Sequence, residues 1–129
     1  MATMFRNNNK LSSQEGRRRY NLGKEAELAA IDYLARQGYK ILNNRYRFPY
    51  GEIDIIAYKD KKITFVEVKA RGGNIADDLV HPQQLQRIFD AGTFFLANYP
   101  QFDSYECQID IIVVNKNIIT EHIKGQTLD

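Results

Sequence analysis

The chain has 129 residues, of which 43% are apolar and 26% charged, enough for one globular domain with a real core and too few for two. A single cysteine, Cys107, excludes a disulfide framework and a CxxC zinc site, and no apolar run approaches the length of a membrane-spanning helix. The net charge of +2 hides an asymmetry: residues 1–50 carry ten Lys/Arg against four Asp/Glu, and residues 51–129 carry eight against twelve.

The opening segment, MATMFRNNNKLSS, is polar, so residues 1–13 are expected as a disordered tail before a domain over 14–129. It has no apolar core of a secretory signal, which makes the cytoplasm the expected compartment. Leu22, Ala26, Ala29, Ala30, Tyr33 and Leu34 recur at helical spacing until Gly38, which predicts a helix over about 15–37 with Ser12 or Ser13 as its cap. Tyr39–Phe48 reads as a strand. GEIDIIAY and KITFVEVKA are alternating, β-branched strands joined by Lys59-Asp60-Lys61-Lys62 as a hairpin. RGGNIADDLVHP reads as a loop, and Pro82 suits the first position of a second helix whose apolar face is Leu85, Ile88, Phe89, Phe95 and Leu96. CQIDIIVV and NIITEHI follow as two strands around Asn115-Lys116-Asn117. Cys107, in an apolar run, is expected as a small buried hydrophobe.

The hairpin carries the chemistry. Alternation puts Glu52, Asp54 and Ile56 on one face of the first strand, and Ile63, Phe65, Glu67 and Lys69 on one face of the second. A turn at Asp60-Lys61 pairs residues whose numbers sum to 121. It therefore sets Asp54 opposite Glu67 and Glu52 opposite Lys69, at Cβ separations of roughly 4.5–5.5 Å. Opposed carboxylates on strands this apolar are costly unless something neutralises them, and a hard divalent cation does so. A metal-bound water has a lowered pKa and can attack a phosphodiester, and a lysine beside it can position that water or steady the developing charge. The competing reading is a solvated face bearing two cross-strand pairs.

LGKEAELAAIDYLARQGYKIL, NNRYR, GEIDIIA, FVEVKAR and QIDIIVV together resemble the YraN family of small bacterial proteins, within the PD-(D/E)xK nuclease superfamily and similar in fold to Holliday-junction resolvases. The resemblance spans about residues 16–123. It implies an α/β, single-domain, three-layer restriction-endonuclease-like core: a mixed sheet of about five strands flanked by helices. It implies that Asp54 and Glu67 hold Mg²⁺ or Mn²⁺, that Lys69 is the catalytic lysine, that Glu27 completes the catalytic set from the first helix, and that Glu52 supports it. Two departures stand out: Ala26 precedes Glu27 where many relatives have glycine, and Gln83, Gln84 and Gln86 stand where the second helix of relatives carries cations.

The expected partner is nucleic acid, DNA ahead of RNA, branched or otherwise structured, with no membrane and with a homodimer by analogy to resolvases. Arg17, Arg18, Arg19, Arg45 and Arg47 are the candidate phosphate contacts, and Tyr46, Phe48 and Tyr50 are candidates for base stacking. Asp110 and His122 read as structural, and His81 as a loop residue. The leading function is a metal-dependent endonuclease. The rivals are a non-catalytic nucleic-acid-binding protein on the same fold and a structural or interaction protein.

Overall fold

The computed structural model describes residues 2–49, 51–71 and 81–126, with side chains from Gln14 on except Arg19 and Tyr20. The element order is α1 (Ala2–Arg36), β1 (Lys40–Phe48), β2 (Gly51–Lys59), β3 (Lys62–Ala70), α2 (Pro82–Asn98), a 3₁₀ turn (Pro100–Phe102), β4 (Glu106–Asn115) and β5 (Ile118–Gln126). The five strands form one mixed sheet in the order β1-β2-β3-β4-β5. β3 and β4 are parallel and joined through α2, and every other neighbour is antiparallel. The expected fold class, an α/β sheet with helices on both faces, is the one observed.

α1 starts at Ala2, not near residue 15, so the backbone is helical over much of the segment expected as a tail. Side chains before Gln14, the Ser12 and Ser13 cap candidates included, lie outside the described residues. The helix ends as its sequence dictates. Gly38 takes φ +92, the Tyr39 amide returns to the Leu34 carbonyl, and Lys59 Nζ donates to the Gln37 carbonyl at 2.7 Å.

The sheet separates two cores. On one face Ala26, Ala30 and Leu34 of α1 pack on Ile55, Ala57, Val66, Ile112 and Val114. On the other, Leu85, Ile88, Ala91 and Phe95 of α2 pack on Ile53, Ile56, Ile63, Phe65 and Ile109. α2 sits close because Gly92 allows it: a Cβ there would lie 2.7 Å from Phe65 Cε2. Phe89, assigned to the apolar face from its spacing, is 49% exposed, and Ala91 and Gly92 are buried in the stripe instead.

Both tight turns have two central residues with positive φ, Asp60-Lys61 and Lys116-Asn117, which is the twist that two-residue hairpins need. The β2–β3 pairing runs Lys59↔Lys62, Tyr58↔Ile63, Ala57↔Thr64, Ile56↔Phe65 and Ile55↔Val66, the register that sums to 121. Cys107 is exposed rather than buried. β5 pairs with β4 only from Ile109 onward, so the first turns of β4 lack that cover.

Candidate acidic site at the open end of the hairpin

The ladder between β2 and β3 stops at Ile55↔Val66, one step short of Asp54. Strict alternation would place Ile53 with Ile55, yet Ile53 packs on the α2 side and Ile55 on the α1 side. The break falls on Asp54. β1 keeps its register on the other side, with Asn44↔Ile55 and Tyr46↔Ile53 paired, but Arg45 between them, opposite Asp54, takes φ +59. A non-glycine residue held there stores of order 1–3 kcal/mol of strain, a pattern common at functional sites. The four-residue face expected from alternation, Glu52 with Asp54 and Glu67 with Lys69, is therefore rearranged.

The rearrangement turns Asp54 into the sheet. Its Oδ2 accepts the Val68 amide at 2.8 Å, replacing a strand-to-strand bond. Burial, then hydrogen bonding to Glu67 and its charge, push the Asp54 carboxyl up to about 8, against the Val68 bond, which lowers it. Asp54 and Glu67 thus meet side by side, although not as a ladder pair. Lys69 Nζ lies 3.8 Å from Glu67 Oε2 and donates to Gln84 Oε1 of α2 at 3.3 Å. Glu52, placed opposite Lys69 by the extrapolated register, instead pairs with Arg47 (Nε to Oε2, 3.1 Å), its ladder partner on β1, and the β2–β3 ladder does not extend to it.

Glu27 stands on α1, largely buried, and is held by β1. Arg45 Nε donates to Oε1 at 3.0 Å and Nη2 to Oε2 at 3.2 Å. Asn44 Nδ2 reaches both Glu27 Oε1 (3.3 Å) and the Asp54 carbonyl (3.0 Å). Asn44 thus connects Glu27 to the strand that carries Asp54. Among the described residues, no three His, Cys, Asp or Glu side chains converge closely enough to hold a metal ion. The Asp54–Glu67 pair is nonetheless a fitting partner for a hard cation. It offers oxygen donors, it is half-buried, and each carboxyl has a second acid beside it.

The arginines separate. Arg45, expected at phosphates, is spent on Glu27, and Arg47 on Glu52. Arg17 and Arg18 are exposed on α1, with Arg18 paired to Glu15 at 2.7 Å, and Arg18 precedes Glu27 by nine residues. That is about 14 Å along the axis at 1.5 Å per residue. The side chain of Arg19 lies outside the described residues, as do Tyr50, Asp77 and Asp78. Tyr46, a stacking candidate, is half-buried and packed edge-on against Phe95 (5.3 Å between centroids) at the α2-side core. Two residues of α2 reach the site: Gln84, which the sequence marked only as standing where relatives carry a cation, and Arg87, which the sequence did not single out. Gln84 binds Lys69, and Arg87 lines a recess with Glu67. Both sit one turn apart on the helix surface, but nothing in the sequence says which strand end that surface meets.

Asp110 and His122 serve structure. Asp110, fully buried, accepts from Gln108 Nε2 (2.7 Å), the Gly125 amide (3.0 Å) and His122 Nε2 (2.7 Å). His122 Nδ1 faces the Tyr33 hydroxyl at 2.8 Å, which ties α1 to β5. With Nε2 protonated, Nδ1 accepts the tyrosine proton and every member is satisfied.

Among the described residues no helix is long and apolar enough to cross a membrane. The pattern of the family described as Uncharacterised protein family UPF0102 matches residues 26–114, from the buried face of α1 to the end of β4. A UPF0102 protein of Rhodopseudomonas palustris (strain ATCC BAA-98 / CGA009) is 41% identical over 108 residues, 82% of each chain. One of Bradyrhizobium diazoefficiens is 40% identical over 115 residues, 88% of this chain and 86% of its own. One of Nitrobacter winogradskyi is 37% identical over 109 residues, 82% of this chain and 91% of its own. The acidic pair, Lys69 and Glu27 all fall inside the matched span, and the chain belongs to the UPF0102 family.

Proposed function

We propose that this protein is a metal-dependent endonuclease acting on DNA, with Asp54 and Glu67 as the residues that hold Mg²⁺ or Mn²⁺. The observation that carries this reading is the half-buried carboxylate pair at the unpaired end of the hairpin, with Lys69 beside it. A divalent cation bound there would supply charge neutralisation at the phosphate and a more acidic water. The chain's own part is positional. Val68 fixes one oxygen of Asp54, Glu67 supplies the neighbouring carboxylate, and Gln84 holds the Lys69 ammonium near it for the attacking water or the developing charge. Glu27, anchored by Arg45 and Asn44, stands behind the strand that bears Asp54 and backs its placement.

The test is cleavage of a four-way junction, a flap, linear duplex, single-stranded DNA and RNA with Mg²⁺ or Mn²⁺. Wild type is compared with Asp54→Asn, Glu67→Gln and Lys69→Met. Cleavage by wild type that falls by at least about a hundredfold in each variant supports the reading. Activity that persists in Glu67→Gln rejects it. One observation favours a second reading, a non-catalytic nucleic-acid-binding protein: no third acid joins the pair among the described residues. That reading expects binding to the same panel that survives loss of Asp54 and Glu67, with no cleavage by any form.

A further inference from the structure

Beside the acidic pair, on the α2 side, lies a cavity of about 410 Å³ between the β1–β2 corner and the first turns of α2. Glu67, one of the two acids assigned to the metal, belongs to its lining, so the cavity adjoins that site. Its other walls have three distinct chemistries. Phe48 and Ile88 are apolar. Arg47 and Arg87 bring guanidinium groups from two different elements. Gln84 adds an amide next to Lys69. Arg87 has no ion-pair partner among the described residues, while Arg47 is engaged by Glu52. The Phe48 ring is seated by its neighbours: it lies tilted against Phe94, 6.0 Å between centroids, and over Gly51, where a Cβ would stand 3.0 Å from Phe48 Cε1.

We propose that this cavity receives a single unpaired nucleotide adjoining the bond that is cut. The proposal rests on the nuclease reading and names its substrate class: DNA with an unstacked base at the cleavage point, not continuous duplex. The volume lies within the roughly 300–1,000 Å³ that small-ligand sites occupy. An aromatic ring beside an aliphatic side chain offers a base a stacking surface, which is sequence-tolerant because every base has a flat face. Arg87 answers the phosphate on that nucleotide, and the carboxylates of Glu52 and Glu67 keep the phosphate to the arginine side. A base still paired inside a stack cannot enter a pocket of this kind without being extruded, so branch points, bulges and single strands enter at lower cost.

Binding decides it apart from catalysis. Affinities of the full chain are measured with Ca²⁺ present, for a continuous duplex and for the same duplex carrying one bulged nucleotide. Phe48→Leu, Arg87→Gln and Gly51→Ala are compared with wild type, and thermal unfolding checks the fold of each. Wild type should prefer the bulged duplex by about tenfold. Phe48→Leu and Arg87→Gln should each reduce that preference to about threefold or less, and Gly51→Ala should reduce it by a smaller factor, because it shifts the ring without removing it. No preference in wild type, or a preference untouched by both Phe48→Leu and Arg87→Gln, overturns the proposal. Cleavage of both duplexes at equal rates also overturns it and leaves the nuclease reading standing. A preference that depends on Phe48 and Arg87, in a protein that cuts nothing, overturns the nuclease reading and leaves the pocket.

Discussion

Among the described residues, two aspartates of this sheet are withdrawn from solvent, Asp110 completely and Asp54 in part, and they are held in opposite ways. Asp110 lies on β4 with three donors on its two oxygens, one of them a histidine that is itself fixed by Tyr33. Asp54 lies on β2 with one amide on Oδ2 and another acid as its neighbour. A buried carboxylate whose donors are supplied by the fold is a structural group. A buried carboxyl set against a second acid is unfavourable in the protein alone, and the imbalance is what a cation corrects. The donor set, more than the burial, separates a core aspartate from a candidate ligand.

The widest separation should come from Asp110→Ala. It leaves His122, Gln108 and the Gly125 amide without their acceptor in a dry place. We expect a loss of about 3–5 kcal/mol, and a melting temperature lower by about 10 °C or more in thermal unfolding. The folded remainder should still bind Mg²⁺ as wild type does. If Asp110→Ala kept its stability and lost metal binding, the contrast between the two aspartates would be reversed.

Asp54→Asn should act the other way. The Asp54 carboxyl sits at about 8 in the folded protein, above its ordinary value of 3.8. The folded state therefore holds a proton that the unfolded chain releases between those values. Its contribution favours folding below about pH 4 and is lost progressively as pH rises toward 8. The asparagine variant removes the acid, so in metal-free buffer at pH 8 it should be more stable than wild type by about 1–3 kcal/mol in urea unfolding, with metal affinity reduced at least about tenfold. The same displaced proton gives wild type an Mg²⁺ affinity that climbs up to about tenfold per pH unit below pH 8 and then levels off. Calorimetry in buffers of different ionisation enthalpy counts that proton directly. Unchanged affinity between pH 6 and 8 would show that binding displaces no proton from Asp54.

How far these features could be read in advance differs along the chain. The β2–β3 register was legible, because a two-residue turn at Asp60-Lys61 fixes every pair behind it until something breaks the ladder. The break itself was not. It needs an arginine at positive φ facing an aspartate, and neither residue advertises that conformation as glycine would. Extending the register past Ile55 therefore brought Asp54 toward Glu67 correctly in space but mispaired Glu52 with Lys69. Phe89 and Cys107 were misplaced for a related reason. Spacing tells which residues share a face, and not where α2 crosses the sheet or where β5 ends along β4. Arg87, and the contact of Gln84 with Lys69, were unreadable because their neighbours come from β1–β3, far away in sequence.

The smallest effect probes the kink that sets Asp54 apart. Arg45 does two things there: its guanidinium holds Glu27, and its backbone occupies the left-handed region. Replacing it with alanine removes the ion pair and keeps the strained backbone. Replacing it with glycine removes the ion pair and relieves the strain. Both should be less stable than wild type, because Glu27 is largely buried and would lose its charged partner. Arg45→Gly should nevertheless be more stable than Arg45→Ala by about 1 kcal/mol in urea unfolding, the cost of a β-carbon in that conformation. If the two variants were equally stable, the backbone at residue 45 would be free to leave the left-handed region once its side chain is gone. The kink opposite Asp54 would then be held by the arginine's grip on Glu27, and not by the strand pairing on either side of it.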